Sequence, residues 1–144
     1  MASRVLRIVA VLSVLMAGCA DDPQRQVLDH VNMRTQREVT FTGGVKWSLG
    51  QKGDCTTFAL HNLQALKARG IPAAAWIVWD NLGQAHAVVV SGDMVLDNHY
   101  RHIMTRSALE KIGYRFRFPL SEDVVALLVR NLNPGVSAAR TGQG

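Results

Sequence analysis

Ala85-His86-Ala87-Val88-Val89-Val90-Ser91-Gly92-Asp93-Met94-Val95-Leu96-Asp97 reads as an apolar strand, a tight turn and a returning strand. With Gly92-Asp93 as a two-residue hairpin loop, Ser91 is expected opposite Met94, Val90 opposite Val95 and Val88 opposite Asp97. Directly opposed residues share a face of a sheet, and so do residues two apart on one strand. His86 and Asp97 are therefore expected as diagonal neighbours on one face, close enough for a carboxylate to hold an imidazole. A loop one residue longer would turn them to opposite faces.

Upstream, Gly53-Asp54-Cys55-Thr56-Thr57-Phe58-Ala59 sets a glycine and an acid before apolar residues at helical spacing that run to Arg69, with Gly70 just beyond. Asp54 is the expected N-cap, accepting from the amide of Thr56 or Thr57, and Gly70 the expected C-cap. Cys55 then falls in the first turn, where unpaired N–H groups and the positive end of the helix dipole favour a thiolate. Taken alone, a cysteine followed by Phe58, Ala59, Leu63 and Leu66 is equally a small apolar residue on a buried helix face. Taken with His86 and Asp97 it becomes a nucleophile, a base and an acid that orients the base, in the order cysteine, histidine, aspartate. Between them, Ala73 to Trp79 reads as a strand and Asp80-Asn81-Leu82-Gly83 as the turn that returns it antiparallel into the His86 strand.

These residues carry a resemblance. Gly53-Asp54-Cys55, Ala59, Leu66, Gly70-Ile71-Pro72, His86-Ala87-Val88 and Val95-Leu96-Asp97-Asn98 together resemble the bacterial transglutaminase-like cysteine proteinases over roughly residues 47–98. The resemblance implies an α+β, papain-like or transglutaminase-like domain in which the cysteine helix packs on an antiparallel sheet of about four strands. It also implies a protease with Cys55, His86 and Asp97 as its catalytic residues and large surface adhesins among the family's substrates. Some members bind calcium through acidic residues around the cysteine, commonly Glu-Asp directly after it. Here those positions are Thr56 and Thr57, with Lys52 three before the cysteine, and only Asp54 remains. No metal or other cofactor is expected, calcium being implied by the resemblance but mostly without its acidic ligands.

The N-terminus has the pattern of a lipoprotein signal peptide: Arg4 and Arg7, an apolar run from Ile8 to Ala17, then Gly18-Cys19. The run is too short for a permanent membrane helix, so residues 1–18 are expected to be removed and Cys19 lipidated, leaving 126 of 144 residues. That length bounds a single domain. Residues 19–23 read as a tether, 24–134 as the domain and 135–144 as a disordered tail of small and polar residues. Loss of the two arginines takes the net charge from +5 to +3, with 14 basic against 11 acidic residues, and no nucleic-acid surface follows from it. The expected location is the bacterial cell envelope, facing the periplasm, with the lipid as the contact to the membrane. Cys55 is then the one thiol, in a compartment that oxidises unused thiols.

Residues 24–38 have the spacing of an amphipathic helix lying on the domain, with His30 on its surface, and 39–51 read as loop with a short strand. Gln51 is the candidate side-chain donor to an oxyanion also held by the Cys55 amide, and Trp47 a packing residue. His99 has the strand parity of Asp97 and is the rival to His86 as base. His86 ranks first, since an imidazole inside an apolar strand needs a partner. Ser107 to Ile112 reads as a short helix and Tyr114 to Phe118 as a strand with its aromatics on one face, while Ser121 to Val129 fits a helix or a strand. There is no repeat, phosphate-cradling glycine loop, histidine pair at helical metal spacing or serine elbow. The expectation is a lipid-anchored periplasmic cysteine protease acting on a protein substrate. The alternatives are an acyl transferase using the same three residues, or a binding lipoprotein that keeps the fold without turnover.

Overall fold

In the computed structural model, residues 22–42 and 52–132 are described. A five-stranded antiparallel sheet runs β6-β5-β4-β3-β7, where β3 is Ala74–Trp79, β4 Ala85–Ser91, β5 Met94–Leu96, β6 Met104–Thr105 and β7 Arg115–Pro119. Two short strands outside it, β1 (Thr40–Phe41) and β2 (Lys52–Gly53), pair in parallel. The helices are α1 (Pro23–Glu38), α2 (Cys55–Lys67), α3 (Arg106–Lys111) and α4 (Glu122–Leu132). The sheet thus has five strands rather than about four. The addition is β6, whose two residues carry no periodicity that a sequence could show.

The hairpin has the expected two-residue loop. Ser91 faces Met94, Val90 faces Val95 and Val89 faces Leu96, and Gly92 takes a left-handed φ of 61°. The ladder stops there, so the expected Val88–Asp97 pair is not formed, and Asp97 follows the strand instead of belonging to it.

The sheet has an apolar cluster on each face. On one, Ala87, Val89, Met94 and Leu96 meet Leu28 and Val31 of α1 and Ala59 and Leu66 of α2, with Cys55 packed against the group. On the other, Val78, Val88 and Val95 meet Leu109 of α3 and Tyr114. This is what nearly continuous apolar strands require, because both faces must be covered. The C-terminal segment that the sequence left undecided is a helix, α4, opened by Glu122 and Asp123. Its Val124 and Leu127 remain exposed. No helix among the described residues is long and apolar enough to cross a membrane.

Candidate active site

Helix α2 begins at Cys55 because Asp54, in extended backbone, closes its open end. The Asp54 carboxylate accepts from the Thr56 amide at 2.9 Å, the Thr57 amide at 3.4 Å and the Thr56 hydroxyl at 2.5 Å. The cap thereby takes the second and third N–H groups of the helix and leaves that of Cys55 outside it. Gly53 is fixed by contact, since a Cβ there would lie 1.9 Å from the Thr57 hydroxyl oxygen. Thr57 is fully buried and has no room to yield. Gly70, with a φ of 67°, ends the helix, the Ile71 amide reaching back 3.0 Å to the Leu66 carbonyl.

His86 and Asp97 are both buried, with Nε2 of His86 2.8 Å from Oδ1 of Asp97. A carboxylate can only accept, so Nε2 carries the proton to Asp97 and Nδ1 is the ring nitrogen left for Cys55, which acts with Asp97 on the charge of this imidazole. Burial alone would lower the His86 pKa. The hydrogen bonds and charges of Asp97 and Cys55 outweigh it and raise the value to about 9. Burial works against ionised Asp97 too, and the His86 bond with the His99 amide, 2.9 Å from Oδ1, holds the carboxyl below its ordinary range all the same. Cys55 packs with the α1–α2 layer while His86 shares strand parity with Val88 of the opposite layer, so the pair joins the two layers at the start of β4.

Tyr114 is a member of the site that the sequence reading left as an aromatic on a strand face. It is buried, and its hydroxyl donates to Oδ2 of Asp97 at 2.9 Å. The sheet explains why. Val78 of β3 is paired with both His86 and Phe116, so those three side chains share a face, and Tyr114, two residues before Phe116, shares it as well. The pairing of β7 with β3 is the missing signal, since alternation alone does not say which strand lies alongside.

His99 does not replace His86 as the partner of Asp97. Its ring stacks on His86, with centroids 4.0 Å apart and planes 4° from parallel, and its Nδ1 lies 3.2 Å from the Tyr114 hydroxyl. Burial and the neighbouring charge of His86 lower its pKa. A cleft of about 600 Å³ opens beside these residues, lined by Gln36, Val39, Phe41, Phe58, Asn98 and His99. Gln51, Trp47 and Cys19 lie outside the described residues, as do the signal peptide and the tail.

With this geometry in hand, a family model of bacterial transglutaminase-like cysteine proteinases matches residues 21–122. The chain belongs to this family. Members are cysteine proteinases by description, and the match spans every element from α1 to the start of α4. Among solved structures, the chain is similar to EGTA-treated Legionella pneumophila LapG, with a TM-score of 0.61, 18% identity and coverage of 71% of this chain and 66% of that one. The calcium-bound form of the same protein gives 0.57 at 20% identity, with 71% and 67% covered. Likeness at such identities shows the fold, and the chain spans 66% of the length of the first of these structures. No curated protein sequence matches it.

The second of these structures is a calcium-bound form. The capping oxygen of Asp54 is surrounded by donors, and Asp80 Oδ1 accepts from the amides of Leu82 and Gln84 in its own turn. Among the described residues, the one cluster of three groups able to ligate an ion is His86, Asp97 and His99. Two imidazoles and one carboxylate do not make the oxygen-rich shell that calcium needs. An ion bound by imidazole lies in the plane of its ring, and two near-parallel rings stacked 4.0 Å apart share no such point. The cluster as it stands therefore does not fit a metal.

Proposed function

We propose that this chain is a lipid-anchored, periplasm-facing cysteine protease whose catalytic residues are Cys55, His86 and Asp97. The observation that carries the reading is the buried His86 ring, hydrogen-bonded to Asp97 through Nε2 and coupled in charge to Cys55, which opens α2. An imidazole whose pKa is raised to about 9 is protonated at neutral pH, and a cation beside a cysteine at a helix N-terminus favours the thiolate.

The Cys55 thiolate attacks a peptide carbonyl, and the electron pair moves to the carbonyl oxygen. The Cys55 amide, outside the Asp54 cap, is the donor to that oxyanion, with the Gln51 side chain as the candidate for a second. Collapse breaks the C–N bond, His86 gives its proton to the departing amine, and a thioester remains on Cys55. His86 then takes a proton from water as the oxygen attacks the thioester. The acid leaves, and thiolate and imidazolium are restored. Asp97 fixes the imidazole and balances its charge throughout.

The substrate class is protein, and large surface adhesins are the class that resemblance to the family implies. Anchoring rests on Arg4, Arg7, the run from Ile8 to Ala17, and Cys19. The test is incubation of the mature chain and its Cys55→Ala variant with candidate surface proteins, followed by mass analysis of fragments. Cleavage by the parent chain alone supports the reading. The reading is overturned if the Cys55 thiol alkylates no faster at neutral pH than in a His86→Ala variant.

A further inference from the structure

We propose that His99, anchored by Tyr114, is a positioning residue of this site, whose neutral ring lies on His86 and holds it in the plane joining Asp97 to Cys55. The inference rests on the protease reading and extends it to a residue outside the triad.

The direction of each hydrogen bond follows from what each group can donate. Asp97 is ionised and only accepts, so the bond from Tyr114 to its Oδ2 uses the phenolic proton. The Tyr114 oxygen then has only lone pairs to offer His99, and Nδ1 of His99 must bring the proton to that contact. Three groups thereby set the position of the His99 ring: the Tyr114 hydroxyl through Nδ1, the Asp97 carboxylate through the His99 amide, and the face of His86. Tyr114 is buried and anchors the contact, whereas His99 covers His86 with one side of its ring and is open to solvent elsewhere. Removing the stack would leave the His86 ring free to turn about its bond to Asp97.

Contact at 4.0 Å between parallel rings also restricts charge. Two neutral rings, or a neutral ring on a cation, stack favourably, and two cations at that distance repel. His86 is the ring that Asp97 and Cys55 hold protonated, so His99 must be the neutral one. The groups facing His99 are His86 on β4, Asp97 on its own loop, Asp80 in the β3–β4 turn and Tyr114 before β7, with Arg37 of α1 also lining the cleft. The two aspartates favour a proton on His99, while burial and His86 oppose it and prevail. Acidification that protonates His99 should therefore loosen the stack and slow alkylation of Cys55.

The experiment uses the full mature chain and iodoacetamide, with alkylation of Cys55 followed by intact mass from pH 4 to 8. His99→Ala should slow alkylation at pH 7 by about tenfold, the scale of one aromatic contact. His99→Phe keeps a flat ring that cannot take a proton. It should restore most of the rate and hold it to lower pH than the parent chain. Tyr114→Phe should fall between the two, with its acid limb moved. A His99→Ala variant that alkylates at the parental rate with the parental acid limb overturns the proposal, as does a His99→Phe variant no better than His99→Ala. If the parent chain itself alkylates no faster than His86→Ala, the protease reading has failed instead, which separates the two outcomes. Should His99→Ala not fold, His99→Phe against the parent chain decides the matter through the acid limb alone.

Discussion

Asp97 offers one carboxylate oxygen to His86 and the other to Tyr114, at 2.8 and 2.9 Å. It does so from the first residue beyond β5, where the chain is released from the ladder. Both partners are buried, so neither oxygen has water to fall back on if a partner is lost. Truncating Asp97 to alanine leaves the His86 imidazole buried without the acceptor that holds its proton. Breaking a buried charged pair in this way costs about 3 to 5 kcal/mol, and Cys55 alkylation should slow at least about tenfold. Denaturant melts and iodoacetamide kinetics of Asp97→Ala check both, and an unchanged midpoint would contradict the geometry.

Tyr114→Phe removes a single oxygen. The ring remains to fill its place under α3, while Oδ2 of Asp97 and Nδ1 of His99 both lose their partner. An unsatisfied buried acceptor costs about 1 to 3 kcal/mol, more toward the upper end for a carboxylate. The midpoint of urea unfolding should drop accordingly, with the slope unchanged. A variant as stable as the parent would show that water reaches Asp97.

Much of this arrangement is legible in the sequence. The pairs Ser91–Met94 and Val90–Val95 followed from a two-residue loop, though not Val88–Asp97 beyond the end of the ladder, and the helix start followed from Asp54 beside Cys55, because both are set by residues adjacent in the chain. What could not be read depends on neighbours remote in sequence. Tyr114 joins Asp97 only because β7 lies alongside β3, seventeen residues away along the chain from its partner. The stacking of His99 likewise depends on how the loop after Asp97 turns, so strand parity suggested a rival base where the structure has a companion ring. Residues 121–129 stayed ambiguous because an apolar run of that length satisfies either period until its packing is known.

Gly53→Ala should damage the site from behind. The new Cβ would meet the buried Thr57 side chain, and relief requires the start of α2 to move. Overpacking of this kind costs about 1 to 3 kcal/mol. Because the displaced turn carries Cys55, the loss should show in alkylation rate as well as in melting temperature. Gly70→Ala is the useful comparison. It strains a left-handed residue at the far end of the same helix, where nothing lies within 4 Å of the new Cβ, and it should destabilise without altering the thiol.

The pH dependence of stability should bear the mark of His86. Its proton is held more tightly in the folded chain than in the unfolded one, so the stabilisation is complete below pH 6.5 and is lost as pH rises through about 9. Asp97 acts at the other end. Its folded pKa lies below 3.8, so its contribution is present above that value and disappears as pH falls through the lowered one. Melting temperatures of the parent chain should therefore decline between pH 7 and 9.5 more steeply than those of His86→Ala. Parallel curves would mean that the imidazole is not protonated in the folded state.

Calcium should matter little to this chain, although one of its structural relatives is a calcium-bound form. The reasoning concerns ligand supply. Calcium takes six to eight oxygens with carboxylates among them. Next to Cys55 the positions where resemblance to the family would place acids hold Thr56 and Thr57, both buried, and the capping oxygen of Asp54 already faces their donors. Of the acids remote in sequence, Asp80 uses one carboxylate oxygen in its own turn and Asp97 uses both with His86 and Tyr114. A site filled at a hundred times its dissociation constant would add about 2.7 kcal/mol to stability. In a domain of this size that amounts to several degrees in melting temperature. Melting curves and Cys55 alkylation with millimolar calcium and with EGTA should instead coincide. A drop of several degrees on chelation would show that the chain completes a calcium shell after all, with ligands other than Asp54, Thr56 and Thr57.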